Sequence, residues 1–120
     1  MEQNSSKQEQ LRNRTKRFAL RIIRLFKRLP RTVEAQVLGK QLLRSGTAVG
    51  ANYRAVGRAR SKAEFVSKMG VVVEEADETV FWIECLGESG IRRPDLLAEL
   101  LKEANELIAI FAASQRIARK

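Results

Sequence analysis

The 120-residue sequence contains no histidine and a single cysteine, Cys85. Without histidine, the chain lacks the most frequent general base and the most frequent metal ligand of proteins. Cys85 has no histidine to activate it as a nucleophile, and it cannot form an internal disulfide, which fits a reducing compartment. We therefore expect a cytoplasmic protein that is not an enzyme and has no catalytic residues, metal ligands or cofactor.

Long apolar stretches are also missing. No apolar run approaches the roughly 18–20 residues that a membrane-spanning helix needs. The segment Met1–Gln10 is polar and lacks both the apolar core and the small-residue cleavage site of a secretory signal. These features predict a protein that is neither inserted in a membrane nor secreted.

Only two prolines interrupt the chain, and between the breaks apolar residues recur at alternating spacings of four and three. This rhythm is typical of the a and d positions of packed helices. Capping boxes beginning at Ser6 and Ser61, a cap at Thr32, and Pro30 and Pro94 mark the helix ends. The sequence predicts one all-α domain over residues 1–120, an antiparallel up-down-up-down four-helix bundle with helices at about 6–29, 32–59, 61–88 and 94–117.

The second predicted helix is poor in bulky side chains, with Gly39, Gly46 and Gly50 among several alanines. Small residues allow a neighbouring backbone to approach closely, so we expect tight packing within the bundle, with a surface for a ligand as the alternative. Asn52 lies on the apolar seam of this helix and is expected to be a buried polar group that fixes helix register.

The net charge of +9 is unevenly distributed. Residues 1–62 carry 16 Lys/Arg and three Glu, which gives +13, whereas residues 63–120 carry seven Lys/Arg and eleven Asp/Glu, which gives −4. Carboxylates of the second half cannot neutralise all the cations of the first half. A surplus of this kind steers anions towards the protein.

Six arginines of the first helix recur every three or four residues, so they fall on one stripe of its surface. Arginine binds phosphate through a planar fork of donors, which favours nucleic acid as the partner. The alternative is that these arginines form salt bridges between subunits. The predicted nucleic-acid-binding residues are Arg14, Arg17, Arg21, Arg24, Arg28, Arg31, Arg54 and Arg58.

A second group of residues lies outside the apolar seam. Aromatic and aliphatic side chains on the outward face of a helix indicate a further buried surface, and self-association is its simplest use. An acidic row on the third helix could meet arginines of a neighbouring subunit, because the first and third helices of one bundle lie diagonally. The predicted oligomer interface consists of Leu20, Ile23, Glu74, Asp77, Phe81, Trp82 and Cys85.

The run Gly39-Lys40-Gln41-Leu42-Leu43-Arg44-Ser45-Gly46-Thr47-Ala48-Val49-Gly50-Ala51-Asn52-Tyr53-Arg54-Ala55, followed by Glu74-Glu75-Ala76-Asp77-Glu78-Thr79 and Trp82, resembles the bacterial four-helix-bundle proteins encoded in intervening sequences of 23S ribosomal RNA genes. A related branch is the accessory variability determinant of diversity-generating retroelements. The polar residues that match the family pattern are Arg44, Asn52, Arg54, Arg58, Arg60, Glu64, Glu75, Asp77 and Glu78.

The resemblance implies a homopentameric ring with a basic surface and, in the retroelement branch, binding of nucleic acid and of a reverse transcriptase. The first functional hypothesis is therefore a self-assembling accessory protein that binds RNA or DNA. The second is an adaptor that docks a protein partner such as a reverse transcriptase. A third, attachment to a membrane surface through Lys16, Leu20, Ile23 and Lys27, is disfavoured because the bundle already uses the apolar face of this helix.

Overall fold

The computed structural model describes the backbone of residues 2–120 and the side chains of residues 7–120. Within that part of the chain all regular structure is helical, with α1 at Glu2–Lys27, α2 at Val33–Val56, α3 at Lys62–Glu88 and α4 at Pro94–Arg119. Consecutive helices pack side by side and α1 also meets α4, in a body of 47 × 23 × 19 Å. The predicted four helices without strands are confirmed. No described helix is long and apolar enough to cross a membrane.

The helix ends follow the predicted punctuation closely. The Thr32 hydroxyl accepts a hydrogen bond from the Ala35 N–H at 3.3 Å, and the Ser61 hydroxyl accepts one from the Glu64 N–H at 3.0 Å. The first helix ends at Lys27, two residues earlier than predicted, because a residue that precedes a proline is disfavoured in helical conformation. The first helix begins at Glu2, so Ser6 lies inside the helix and the prediction that a capping box at Ser6 starts it is wrong.

The second helix ends at Val56, three residues before the predicted end, and Gly57 is its C-cap. Glycine propagates a helix poorly, which explains a stop at this position. Gly90 ends the turn after α3 with a φ of +79°, a backbone conformation that favours glycine.

The core follows the predicted spacing of three and four on all four helices. On α4, however, the pattern predicted Leu101 and Ile108, which are half-buried, whereas Leu100 and Leu107 are buried. Fully buried side chains from all four helices meet along the bundle axis, among them Phe18, Ile22, Leu42, Val49, Met69, Val72, Ile83, Leu86, Leu107 and Phe111. Tyr53 was not predicted as core, yet it is buried with its ring centroid 5.4 Å from that of Phe111.

Buried polar contacts differ from the prediction. Asn52 is half-buried and donates to the Ala48 carbonyl of its own helix at 2.9 Å, so the prediction that it fixes the register between helices is wrong. The buried polar link between α2 and α3 is instead the pair of hydroxyls on Ser45 and Thr79, which lie 2.9 Å apart. Each hydroxyl also lies within hydrogen-bond distance of a backbone carbonyl of its own helix, Leu42 for Ser45 and Glu75 for Thr79, so the pair links α2 to α3 without depending on that link for its own hydrogen bonding.

The small residues of α2 lie against α1. A Cβ atom built on Gly46 would be 2.7 Å from Cγ1 and 2.9 Å from Cγ2 of Ile22, which is itself fully buried. The expected tight packing of α2 is therefore confirmed. By contrast, α1 and α4 are the least closely packed neighbours in the bundle.

We predict that Gly46→Ala destabilises the fold by about 1–2 kcal/mol. Overpacking a core costs about 1–3 kcal/mol, and the better helix propensity of alanine offsets about 1 kcal/mol of that. Urea unfolding followed by circular dichroism, at matched protein concentrations, measures the difference.

The matched control is Gly57→Ala. A Cβ there would have only the Arg54 carbonyl oxygen nearby, at 3.5 Å, and the φ of −63° suits alanine. We expect this variant to be neutral or more stable by up to about 1 kcal/mol. Equal or greater stability of the Gly46 variant would contradict the role assigned to close α1–α2 packing.

Candidate nucleic-acid interface

Four arginines of the predicted stripe lie on the flank of α1 that faces α4, and Arg28 continues the row directly after the helix ends at Lys27. Arg21, Arg24 and Arg28 line the cleft between the two helices, and Arg14 reaches across to Glu103 on α4. Arg17 is exposed one turn after Arg14, on the same side of the helix. We call this row, Arg14 to Arg28, the α4 flank of α1.

Arg31 does not belong to this row. Because α1 ends at Lys27, Arg31 lies in the connection to α2, where it lines a separate hollow with Phe26, Leu29 and Gln36. The prediction that all six arginines form one helical stripe is therefore wrong for Arg31.

Arg14 is the member of the row that has a carboxylate partner. Its Nε and Nη2 donate to the two carboxylate oxygens of Glu103, both at 2.7 Å, and Glu106 lies 3.5 Å from Nη2. The hydrogen bonds from Arg14 hold the pKa of Glu103 below its ordinary value, and the charges of Arg21 and Arg17 act in the same direction. Glu103 therefore stays ionised at neutral pH and ties α4 to α1.

Towards the C-terminal end of α1, cations outnumber carboxylates. The cleft there has a volume of about 210 Å³ and is lined by four arginines and one carboxylate, over the apolar side chains of Leu25, Leu96 and Leu100. The arginines are Arg21 and Arg24 of α1, Arg28 directly after its end, and Arg92 from the α3–α4 connection, and the carboxylate is Glu99 of α4. Within the described residues, none of these four arginines has a carboxylate oxygen within 4.0 Å. The cleft is therefore strongly electropositive.

Arg54 and Arg58 are separated from the α4 flank. They lie with Arg12 and Lys16 along the groove between α1 and α2, which has a volume of about 540 Å³ and whose other lining residues are uncharged. We call this surface the α2 flank of α1. The structure thus divides the eight predicted arginines among two flanks of α1 and the α1–α2 connection.

A larger cleft of about 810 Å³ continues from the α2 flank to the end of the bundle. Its lining includes Arg12, Arg54 and Arg58 at the rim and the apolar surfaces of Phe65 and Ile110. Tyr53 also lines it, and burial raises the pKa of its hydroxyl above the ordinary value, against the smaller opposing effect of Arg12. The tyrosine is therefore neutral at physiological pH and adds no negative charge to this basic surface.

The predicted interface residues divide between two sides of the bundle. Leu20 on α1 and Phe81 on α3 are exposed, whereas Ile23 and Cys85 are half-buried. Because α1 and α3 are diagonal, the two groups cannot form one continuous patch. Trp82 already has partners within the chain, since its Nε1 donates to Glu78 at 2.9 Å and its ring packs against the core.

The acidic row of α3 is partly used inside the subunit as well. Arg44 of α2 pairs with Glu78 and lies 3.4 Å from Glu75, whereas Glu74 and Asp77 are exposed. Over residues 7–120, no group of three or more potential metal ligands among His, Cys, Asp and Glu is close enough together to hold an ion. The carboxylates that face the arginines of α1 are those of α4, which sequence reasoning missed.

The missed residues follow a recognisable pattern. Glu99, Glu103 and Glu106 are spaced by four and three, which places them on one side of α4. Arg92 carries no comparable pattern, because it lies in a connection and reaches the cleft only through the turn between α3 and α4.

Comparison with known proteins supports the fold and the family. A crystal structure from Bacteroides thetaiotaomicron VPI-5482, of a protein with unknown function from the S23 ribosomal protein family, is 30% identical and superposes with a TM-score of 0.84 over 92% of this chain and 98% of that chain. No curated protein matches the chain. Residues 7–113 match the family model of the 23S rRNA-intervening sequence protein. Because this match spans nearly all of the sequence, the chain belongs to the 23S rRNA-intervening sequence protein family.

Proposed function

We propose that this protein is a non-enzymatic, self-assembling four-helix bundle that binds RNA or DNA in the cytoplasm as an accessory protein. The proposal rests mainly on the unpaired arginines of the α4 flank. Of its five arginines, Arg14 alone has a carboxylate within 4.0 Å among residues 7–120. Four guanidinium groups remain available for phosphate.

The spacing of the flank suits a nucleic-acid backbone. From Arg17 to Arg24 the helix rises by about 11 Å at about 1.5 Å per residue, and Arg28 follows directly after the helix end. Successive phosphates of one strand of duplex DNA are separated by about 3.4 Å along the axis, so this row spans several of them. Arginine side chains meet phosphate oxygens with paired donors, and this contact does not depend on base sequence. Binding should therefore be salt-dependent and weakly sequence-specific.

The α2 flank extends the basic surface around α1. Arg12, Lys16, Arg54 and Arg58 line its groove, and its other lining residues carry no charge. The two flanks together give α1 cations on both sides, whereas the exposed carboxylates of α3 lie on the opposite side of the bundle. This polarity favours one orientation of the protein towards a polyanion.

Assembly into a homopentameric ring is part of the proposal and rests on the family resemblance. Support comes from the exposed apolar residues on two different sides of the subunit, Leu20 on α1 and Phe81 on α3. A contact between two different patches is heterologous, and such contacts generate closed rings when the rotation closes. Glu74 and Asp77 lie beside Phe81 along α3 and are available to pair with cations of the next subunit.

We predict that replacing Arg17, Arg21 and Arg24 together by glutamine weakens binding to structured RNA and to duplex DNA by roughly tenfold or more, and lowers the slope of log affinity against log salt by about 2–3. Glutamine keeps helix propensity, so the fold should be retained. Mobility shifts at about 50 mM and about 200 mM salt provide the measurement.

The control removes three exposed cations at helix ends, Lys62, Arg93 and Arg119, by the same change to glutamine. A parallel variant of Arg12, Arg54 and Arg58 tests the α2 flank. If the control weakened binding as much as the α4-flank variant, net charge rather than this flank would be responsible. Absence of any shift with the unaltered protein at low salt would reject nucleic-acid binding.

For assembly, we expect the unaltered protein to have a solution mass of five times the 13.6 kDa chain in light scattering. Phe81→Glu should lower that mass towards the monomer, because it places a charge in a buried apolar contact. Val37→Glu is the control, since the two side chains are similarly exposed in the subunit, at 54% for Phe81 and 56% for Val37.

A monomeric mass for the unaltered protein would contradict the ring. In that case, the exposed Phe81 surface would remain as a site for a different protein, which is the adaptor hypothesis with a partner such as a reverse transcriptase.

A further inference from the structure

We infer that the cleft between the C-terminal end of α1 and the start of α4 is a pocket for a dianionic phosphate, such as the terminal phosphate of a nucleic-acid strand. We call it the Arg92 pocket, after the residue that closes it from the α3–α4 connection. Its charged members are Arg21, Arg24, Arg28, Arg92 and Glu99.

The charge of the pocket selects the class of ligand. Four guanidinium groups and one carboxylate give a formal charge of +3 around about 210 Å³. A phosphodiester carries one negative charge, whereas a terminal phosphate carries about −1.5 to −2 at neutral pH and offers three acceptor oxygens. A concave site with this charge therefore favours the terminal group over a phosphate within the chain.

Arg92 supplies the second observation. Its Nε is buried, and over residues 7–120 it has no hydrogen-bond partner. Burying a donor without an acceptor is costly, so such a group indicates a missing acceptor. Glu99 lines the same pocket but forms no ion pair with any described residue. Since this atom is closed off from solvent, a phosphate oxygen in the pocket would become its acceptor once the Arg92 side chain turns towards the cleft.

Helix electrostatics alone do not explain the cluster. Arg24 lies in the last turn of α1, where the helix dipole stabilises a cation. The helix dipole does not stabilise Arg92 in the same way. Arg92 precedes the N-terminal end of α4, where the dipole disfavours a cation. Its backbone N–H donates to the Leu86 carbonyl at 3.1 Å, which fixes the base of its side chain near the cleft. Binding of an anion is the role that fits all four arginines.

The inference deepens the proposed function and rests on it for the source of the phosphate. A strand end and a free phosphate compound share the same chemistry, so the test contains both. Its result also separates failure of the pocket from failure of nucleic-acid binding.

The experiment measures fluorescence anisotropy of short single-stranded oligonucleotides of one sequence with a phosphate at the 5′ end, at the 3′ end or at neither end. We expect a phosphorylated end to tighten binding by about tenfold, the usual scale of hydrogen bonds to a charged group. Arg92→Gln should remove that preference. Arg93→Gln is the matched control, because Arg93 is adjacent in sequence but exposed and paired with Asp95.

Glu99→Gln provides an independent test of the pocket, in which no arginine is replaced. Since Glu99 is exposed, the variant should fold, and removing its charge should strengthen the preference for the phosphorylated end. Binding of pyrophosphate tests whether a free phosphate compound is the ligand. Isothermal titration calorimetry measures its affinity for the unaltered protein and for Arg92→Gln.

A preference that disappears in Arg92→Gln and persists in Arg93→Gln supports the pocket. Equal affinity for all three oligonucleotides would overturn it, while leaving nucleic-acid binding in place. If no oligonucleotide bound but pyrophosphate did so through Arg92, the phosphate pocket would be supported with a small molecule as its ligand, and the proposed function would be rejected.

Discussion

The close approach of α1 to α2 determines how the rest of the bundle is arranged. Gly46 leaves no room for even a methyl group beside Ile22, so the two helices are in direct contact along this line. The first helix thus lies against α2, and its other flank faces α4 across the most loosely packed boundary of the bundle. The arginines of the proposed nucleic-acid surface line clefts along this looser boundary and in the groove between α1 and α2.

Electrostatics divide the α4 flank into two parts. At its N-terminal part, Arg14 and Glu103 form a bidentate pair that joins α1 to α4 and partly compensates for their loose packing. At its C-terminal part, the arginines repel one another without an opposing row of carboxylates. An anion bound there would relieve that repulsion, so the ligand should stabilise the folded protein as well as bind to it. The same flank thus holds an ion pair between helices at one end and the proposed anion site at the other.

The distribution of charge also bears on assembly. Cations surround α1, whereas exposed carboxylates and Phe81 lie on the diagonal helix α3. A subunit with unlike patches on opposite sides favours head-to-tail contacts over a two-fold symmetric contact. Part of the acidic row is already engaged by Arg44 within the chain. The proposed contact between subunits would therefore use the remainder, Glu74 and Asp77, and the apolar surface beside them.

Helix content, helix order and most of the core could be read from the sequence, because the spacing of apolar residues by three and four follows from helix geometry alone. The same geometry placed Arg14 to Arg24 on one flank. Arg28 continues that row just after the helix ends at Lys27, whereas Arg31, beyond Pro30, does not. Only the tertiary structure decided that Glu103 holds Arg14, that Arg54 and Arg58 belong to the other flank, and that Arg92 joins the cleft. These contacts join residues far apart in the sequence, and which flank of one helix meets which residue of another depends on how closely all four helices pack.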